Sequence, residues 1–130
     1  MNQRRNLNPK NIIQPGGPYS QAVLSPASGQ LLHISGQVAI RLDGSVPADF
    51  AEQAELVWTN LSEVLREADM EISHLLKVVT YITDAALLPR LGPVRAKFLG
   101  ENRPASTLLV VSALARPEWL IEVEAVAQKD

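Results

Sequence analysis

The chain contains no cysteine. Disulfides, thiolate catalysis and zinc sites built on cysteine are excluded together. Histidine is scarce: His33 and His74 lie in different segments, without the spacing of metal ligands. His33, beside Ile34 in an apolar run, reads as a packed or surface histidine. Trp58 and Trp119 are too few to form a stacking platform for bases. The net charge is only -2, and the twelve Lys and Arg residues are scattered rather than gathered in a stripe. That balance speaks against a nucleic-acid partner. Gly16, Gly17, Gly29 and Gly36 match neither a phosphate-loop nor a dinucleotide pattern. No nucleophile elbow is present. No apolar run is long enough to span a bilayer, and the basic start Met1–Arg5 is not followed by an apolar segment of signal length. These absences predict a soluble, cytoplasmic protein with no membrane partner.

What is present fits one domain spanning residues 1–130 with a real core. A short strand is expected near Arg5–Leu7. Tyr19–Leu24 and Gln30–Ser35 read as two strands joined across Ser25-Pro-Ala-Ser-Gly29 into a hairpin. Gly36, between Ser35 and Gln37, suggests a bulge or a close backbone approach. Asp49 followed by Glu52 predicts a helix start, and Phe50, Ala54, Val57, Leu61, Val64, Leu65 and Ala68 then share one helical face. Ile72–Thr83 contains a strand. A second helix is expected over Leu88–Leu99, with Pro89 in its first turn, Pro93 awkward inside it and Gly100 as its stop. Thr107–Val111 reads as a strand buried on both faces. In the final strand Leu120, Glu122, Glu124 and Val126 point one way, and Ile121, Val123, Ala125 and Ala127 the other.

Two helices can cover only one face of such a sheet, yet the central strands are apolar on both. The uncovered face therefore calls for another copy of the chain, and clefts between subunits become the natural ligand sites. Glu122 and Glu124 are either two acids at a wet strand end or carboxylates lining such a cleft. The remaining candidates are polar residues at strand ends: Tyr19 and Ser20, Ser35 and Gln37, Ser106 and Thr107.

In order, Gly17-Pro-Tyr-Ser-Gln21, Ser35-Gly-Gln37, Ala54 through Leu65, Lys77 through Asp84, Pro104-Ala-Ser-Thr107 and Glu122 through Ala127 resemble the RidA/YjgF family, known in older naming as endoribonuclease L-PSP-like. The match covers about residues 12 to 127. The resemblance implies an α+β, chorismate-mutase-like fold: a mixed six-stranded sheet with two helices on one face. It also implies a homotrimeric barrel with small metabolites bound in intersubunit clefts. The implied activity is hydrolysis of reactive enamines and imines to 2-oxo acids and ammonia, with no metal or organic cofactor. Carried over by position, Glu122 positions the attacking water and Tyr19 helps close the cleft, with Ser35, Gly36, Ser106 and Thr107 along the ligand.

One departure matters most. Where the family motif reads Pro-Ala-Arg-Ser, this chain has Pro104-Ala-Ser106-Thr107, so the arginine that grips a substrate carboxylate is missing. Losing one side of a buried charged pair costs about 2–5 kcal/mol. Arg103 could substitute only from another direction, and the site as read suits a neutral or cationic ligand better. Gly92, where active members often carry asparagine, is a weaker departure. Three functions remain open: an imine or enamine hydrolase of altered specificity, a metabolite-binding module, and a ribonuclease or translation inhibitor.

Overall fold

The last strand shows how the sequence builds the architecture. In Ile121–Lys129, Ile121, Val123, Ala125 and Ala127 are buried while Glu122, Glu124 and Val126 are only partly covered. Period-two alternation of this kind closes one face of a sheet and leaves the other. The structure, a computed structural model, describes residues 4–130. Its elements in order are β1 (Arg5–Leu7), β2 (Ala22–Leu24), β3 (Gln30–Val38), α1 (Phe50–Glu67), β4 (Leu75–Ile82), α2 (Leu88–Leu99), β5 (Ala105–Val110) and β6 (Ile121–Lys129). Short 3-10 turns precede β4 and α2. The main sheet is mixed, in the order β3-β6-β4-β5. β6 runs antiparallel to both neighbours, and β4 and β5 are parallel, as a helical crossover through α2 permits.

α1 begins where its cap begins. The Asp49 carboxylate accepts the Glu52 backbone N–H at 3.1 Å and also receives Arg90 of α2 at 2.5 Å. Arg90 first, then the Glu52 N–H, hold this carboxyl below its ordinary value. Phe50, Ala54, Val57, Trp58, Leu61 and Leu65 form the buried stripe, and Trp58 stacks on Phe98 of α2 with centroids 6.0 Å apart. α1 packs over β3 and β6, with α2 beside it, so α2 covers the β4–β5 side. α2 runs on through Pro93 and stops at Gly100, whose φ is 55°. Gln53 was not among the expected core residues, yet it is buried. Its Nε2 donates to the carbonyls of Pro47 and Glu118, each at 2.8 Å, and its Oε1 accepts Leu120 N–H at 2.9 Å. That side chain ties α1 to the start of β6.

Six strands form, but not in one sheet. β1 and β2 pair antiparallel as a separate two-stranded sheet, leaving four strands in the main one. The expected hairpin between 19–24 and 30–35 does not form either. β3 pairs instead with β6, where Ile34 and Ala125 are opposite and both buried. The 25–29 turn is fastened to the end of β6: Gln128 Nε2 donates to Pro26 O at 2.5 Å and Ser28 O at 2.6 Å. Gly29 there (φ 75°) lies so close that a Cβ would sit 2.4 Å from Lys129 O. The run expected to be buried on both faces is the edge strand β5, with Leu109 and Val110 about half exposed. Among the described residues β5 has only β4 along its length, plus one bridge from Ser20 to Ala105.

Candidate functional site

The bulge expected at Gly36 is present: the β3–β6 register shifts between Ile34 and Gln37. It serves a close approach. A Cβ on Gly36 would lie 1.8 Å from Glu122 Oε2, so the carboxylate occupies the volume that any other residue there would fill. Ser35 is exposed beside it, its carbonyl accepting Gln37 Nε2 at 3.0 Å. Glu122 stands opposite Val38 on one side and Tyr81 on the other.

Glu122 and Glu124 share the uncovered face, as their spacing predicts, but differ in commitment. Tyr81 donates its hydroxyl to Glu124 Oε1 at 3.1 Å. That bond first, then desolvation and the two nearby carboxylates, push the Tyr81 phenol above its ordinary value. No side-chain hydrogen bond to Glu122 occurs among the described residues. Glu122 is the acid left available.

A second group sits at the opposite edge of the sheet. Ser20 is buried, its N–H donating to Pro104 O at 3.0 Å and its hydroxyl to Arg103 O at 2.6 Å. This pins Tyr19 beside the entry to β5. Tyr19 N–H turns back to Gly17 O at 2.8 Å, and its ring lies within 3.9 Å of where a Gly17 Cβ would be. Ser106 pairs with buried Val78 and so faces the helices, whereas Thr107 pairs with Val79 on the uncovered face. The Arg103 guanidinium donates to Gly100 O at 2.7 Å and Asn102 O at 2.9 Å. It closes the end of α2 rather than replacing the missing arginine.

The six expected site residues thus fall into two sets. Ser35, Gly36 and Glu122 form one; Tyr19, Ser106 and Thr107 form the other. Ser106 is level with Ala125 through Val78, three residues along and two strands across from Glu122, a separation of about 14 Å from strand spacing and rise. A single chain does not bring them together. A shallow hollow of about 260 Å³ on the uncovered face is lined by His33, Lys77, Val79, Glu124 and Val126. A larger one of about 510 Å³, between Arg41, Pro47 and the first turns of α1, contains none of the six. His74 Nδ1 accepts Glu71 N–H at 3.0 Å. No cluster of three metal-ligating side chains occurs among the described residues. No helix among them is long and apolar enough to cross a membrane.

A mixed sheet with both helices on one face and a glutamate seated over a bulge glycine defines a class of small α+β proteins. The chain belongs to the endoribonuclease L-PSP family, the RidA/YjgF family, whose model matches residues 9–129. It is 33% identical over 123 residues to a RutC family protein of Pyrococcus horikoshii, covering 93% of this chain and 94% of that one. It is 28% identical over 128 residues to a 2-iminobutanoate/2-iminopropanoate deaminase of Dermatophagoides farinae, covering 92% and 97%. Among solved structures, the Rid-family protein YyfB of Yersinia pestis, of unknown function, superposes with a TM-score of 0.86. That pair shares 35% identity, over 97% of this chain and 98% of the other.

Proposed function

We propose that the chain is a cofactor-independent hydrolase of reactive imines and enamines, acting in the cytoplasm as a homotrimer with its sites between subunits. The observation that carries this reading is the Glu122 carboxylate, held over Gly36 with no side-chain hydrogen bond among the described residues. Glu122 accepts a proton from water as the water oxygen attacks the C=N carbon. The C–N bond then breaks, the nitrogen leaves as ammonia and a carbonyl remains, so water and imine balance carbonyl and ammonia. An enamine enters after tautomerising to its imine. The two half-sets of residues support the intersubunit placement: a second copy would set Tyr19, Ser106 and Thr107 of one protomer against Ser35, Gly36 and Glu122 of its partner. Substrate recognition differs from that of the arginine-bearing relatives because Ser106 is short and uncharged. The same replacement favours a second reading, a metabolite-binding module without turnover. A ribonuclease role, suggested by the family's older name, lacks a basic groove to support it.

The test is ammonia release from 2-aminoacrylate generated in situ. The expected result is turnover above the spontaneous rate, lost in Glu122→Gln. Saturable binding of 2-oxobutanoate with no ammonia release would favour the module and overturn the enzyme.

A further inference from the structure

Arg95 stands apart from the other α2 cations. Arg90 pairs with Asp49, Lys97 pairs with Glu55 of α1, and Arg103 caps the helix end. Arg95 has no ion pair or hydrogen bond among the described residues, and its Nε is buried without a partner. Leaving a buried charged donor unsatisfied is costly, so its position needs an explanation.

Arg90 and Lys97 mark the flank of α2 that faces α1. At 3.6 residues per turn, Arg95 projects about 140–160° away from them, towards the β5 edge. α2 and β5 are joined by the short Gly100–Pro104 turn and run in opposite directions. Counting back four residues from Leu99 brings Arg95 about 6 Å up the helix, level with Ser106 to Leu108. Ser106 and Leu108 pair with Val78 and Thr80, both buried under the helices. By these counts Arg95 and Ser106 stand at the same level of the α2–β5 edge. The free flank of α2 is open: a Cβ on Gly92, one turn before Arg95, would touch nothing within 4 Å.

We propose that Arg95 is the anion-binding residue of this protein, gripping a small organic carboxylate that enters between α2 and β5 past Ser106. The inference deepens the function proposed above and rests on it. A guanidinium offers a carboxylate two parallel N–H donors, and the Ser106 hydroxyl can add a third. Serine at 106 is then what the arrangement needs, because a longer side chain on the strand would fill the space that the helix-borne guanidinium reaches across. The cation has moved from strand to helix, and the ligand remains an acid. Burial already holds the Arg95 guanidinium below its ordinary value, a cost that a bound carboxylate offsets.

The test is calorimetric binding of 2-oxobutanoate, with uncharged 2-butanone as the control, to wild type, Arg95→Gln, Arg95→Lys and Arg103→Gln. The expected result is at least a tenfold rise in the 2-oxobutanoate Kd for Arg95→Gln, with 2-butanone unaffected. Arg95→Lys, which keeps the charge and guards against a folding defect, should fall in between. Arg103→Gln should bind like wild type. Equal 2-oxobutanoate affinity in wild type and Arg95→Gln, or no binding by wild type, overturns the role of Arg95. Ammonia release by wild type is read separately. Turnover with an indifferent Arg95 removes this inference alone, whereas absence of turnover removes the enzymatic reading itself.

Discussion

The two faces of the main sheet are made of the same four strands but are finished differently. Beneath the helices, Ile34, Val78, Ile82, Ile121, Val123 and Ala125 are closed off by α1 and α2. On the other face, Val79, Tyr81, Thr107, Leu109, Glu122, Glu124 and Val126 have no covering element among the described residues. The first face is a core, and its side chains are answerable to packing alone. The second mixes apolar residues with two carboxylates and a tyrosine, a composition that suits neither an interior nor a fully solvated surface. Stability therefore resides on one face, and the proposed assembly and the Glu122 carboxylate lie on the other.

The largest test of that division is Trp58→Ala. Trp58 is fully buried under the helices, and truncation should cost about 3–5 kcal/mol, read by denaturant unfolding. A loss below about 1 kcal/mol would mean that the helix-covered face is not the core. On the other face, Leu109→Glu should leave the fold intact by circular dichroism. By light scattering it should lower the particle from about three times 14.2 kDa to a single chain. A trimer that survives this charge would show that Leu109 lies outside the interface.

A smaller and sharper change is Gly36→Ala. The added Cβ displaces the end of Glu122, a flexible side chain, so the melting temperature should move little. Ammonia release should fall by about a hundredfold, the scale of a misplaced catalytic group. Undiminished turnover would remove Glu122 from the mechanism. The smallest effect is expected at Tyr81. Its pKa is raised in the folded state, so the native protein holds that proton more tightly than the unfolded chain. The resulting stability is fully present below the ordinary phenol value of about 10 and is lost as pH rises through the raised one. Tyr81→Phe should therefore unfold less steeply than wild type above about pH 10. Parallel alkaline limbs would show that the bond to Glu124 contributes nothing.

Several features are legible in the sequence itself. α2 spans the expected Leu88–Leu99, α1 starts at the Asp49 cap, the β6 alternation divides inward from outward residues, and Gly36 marks a bulge. Each is encoded within a few residues, by a cap, a stop or a period. Gln53 carries no such local signal, because a polar residue on a helix declares its burial only through distant partners, here Pro47, Glu118 and Leu120. Nothing in the local sequence sets Arg95 apart from the other cations of its helix; its unpartnered buried Nε is a property of the tertiary structure.

By itself, the sequence determined most of the elements, the buried faces of α1 and β6, and the family, because hydrophobic period and turn chemistry act over short stretches. Only the tertiary structure decided which strand lies beside which. It set β1 and β2 apart from the main sheet, left β5 at the edge and parted Glu122 from Ser106 across two strands. Those outcomes follow from long-range pairing, where strands of similar composition compete for the same neighbours and register is settled by contacts such as Gln128 on the 25–29 turn.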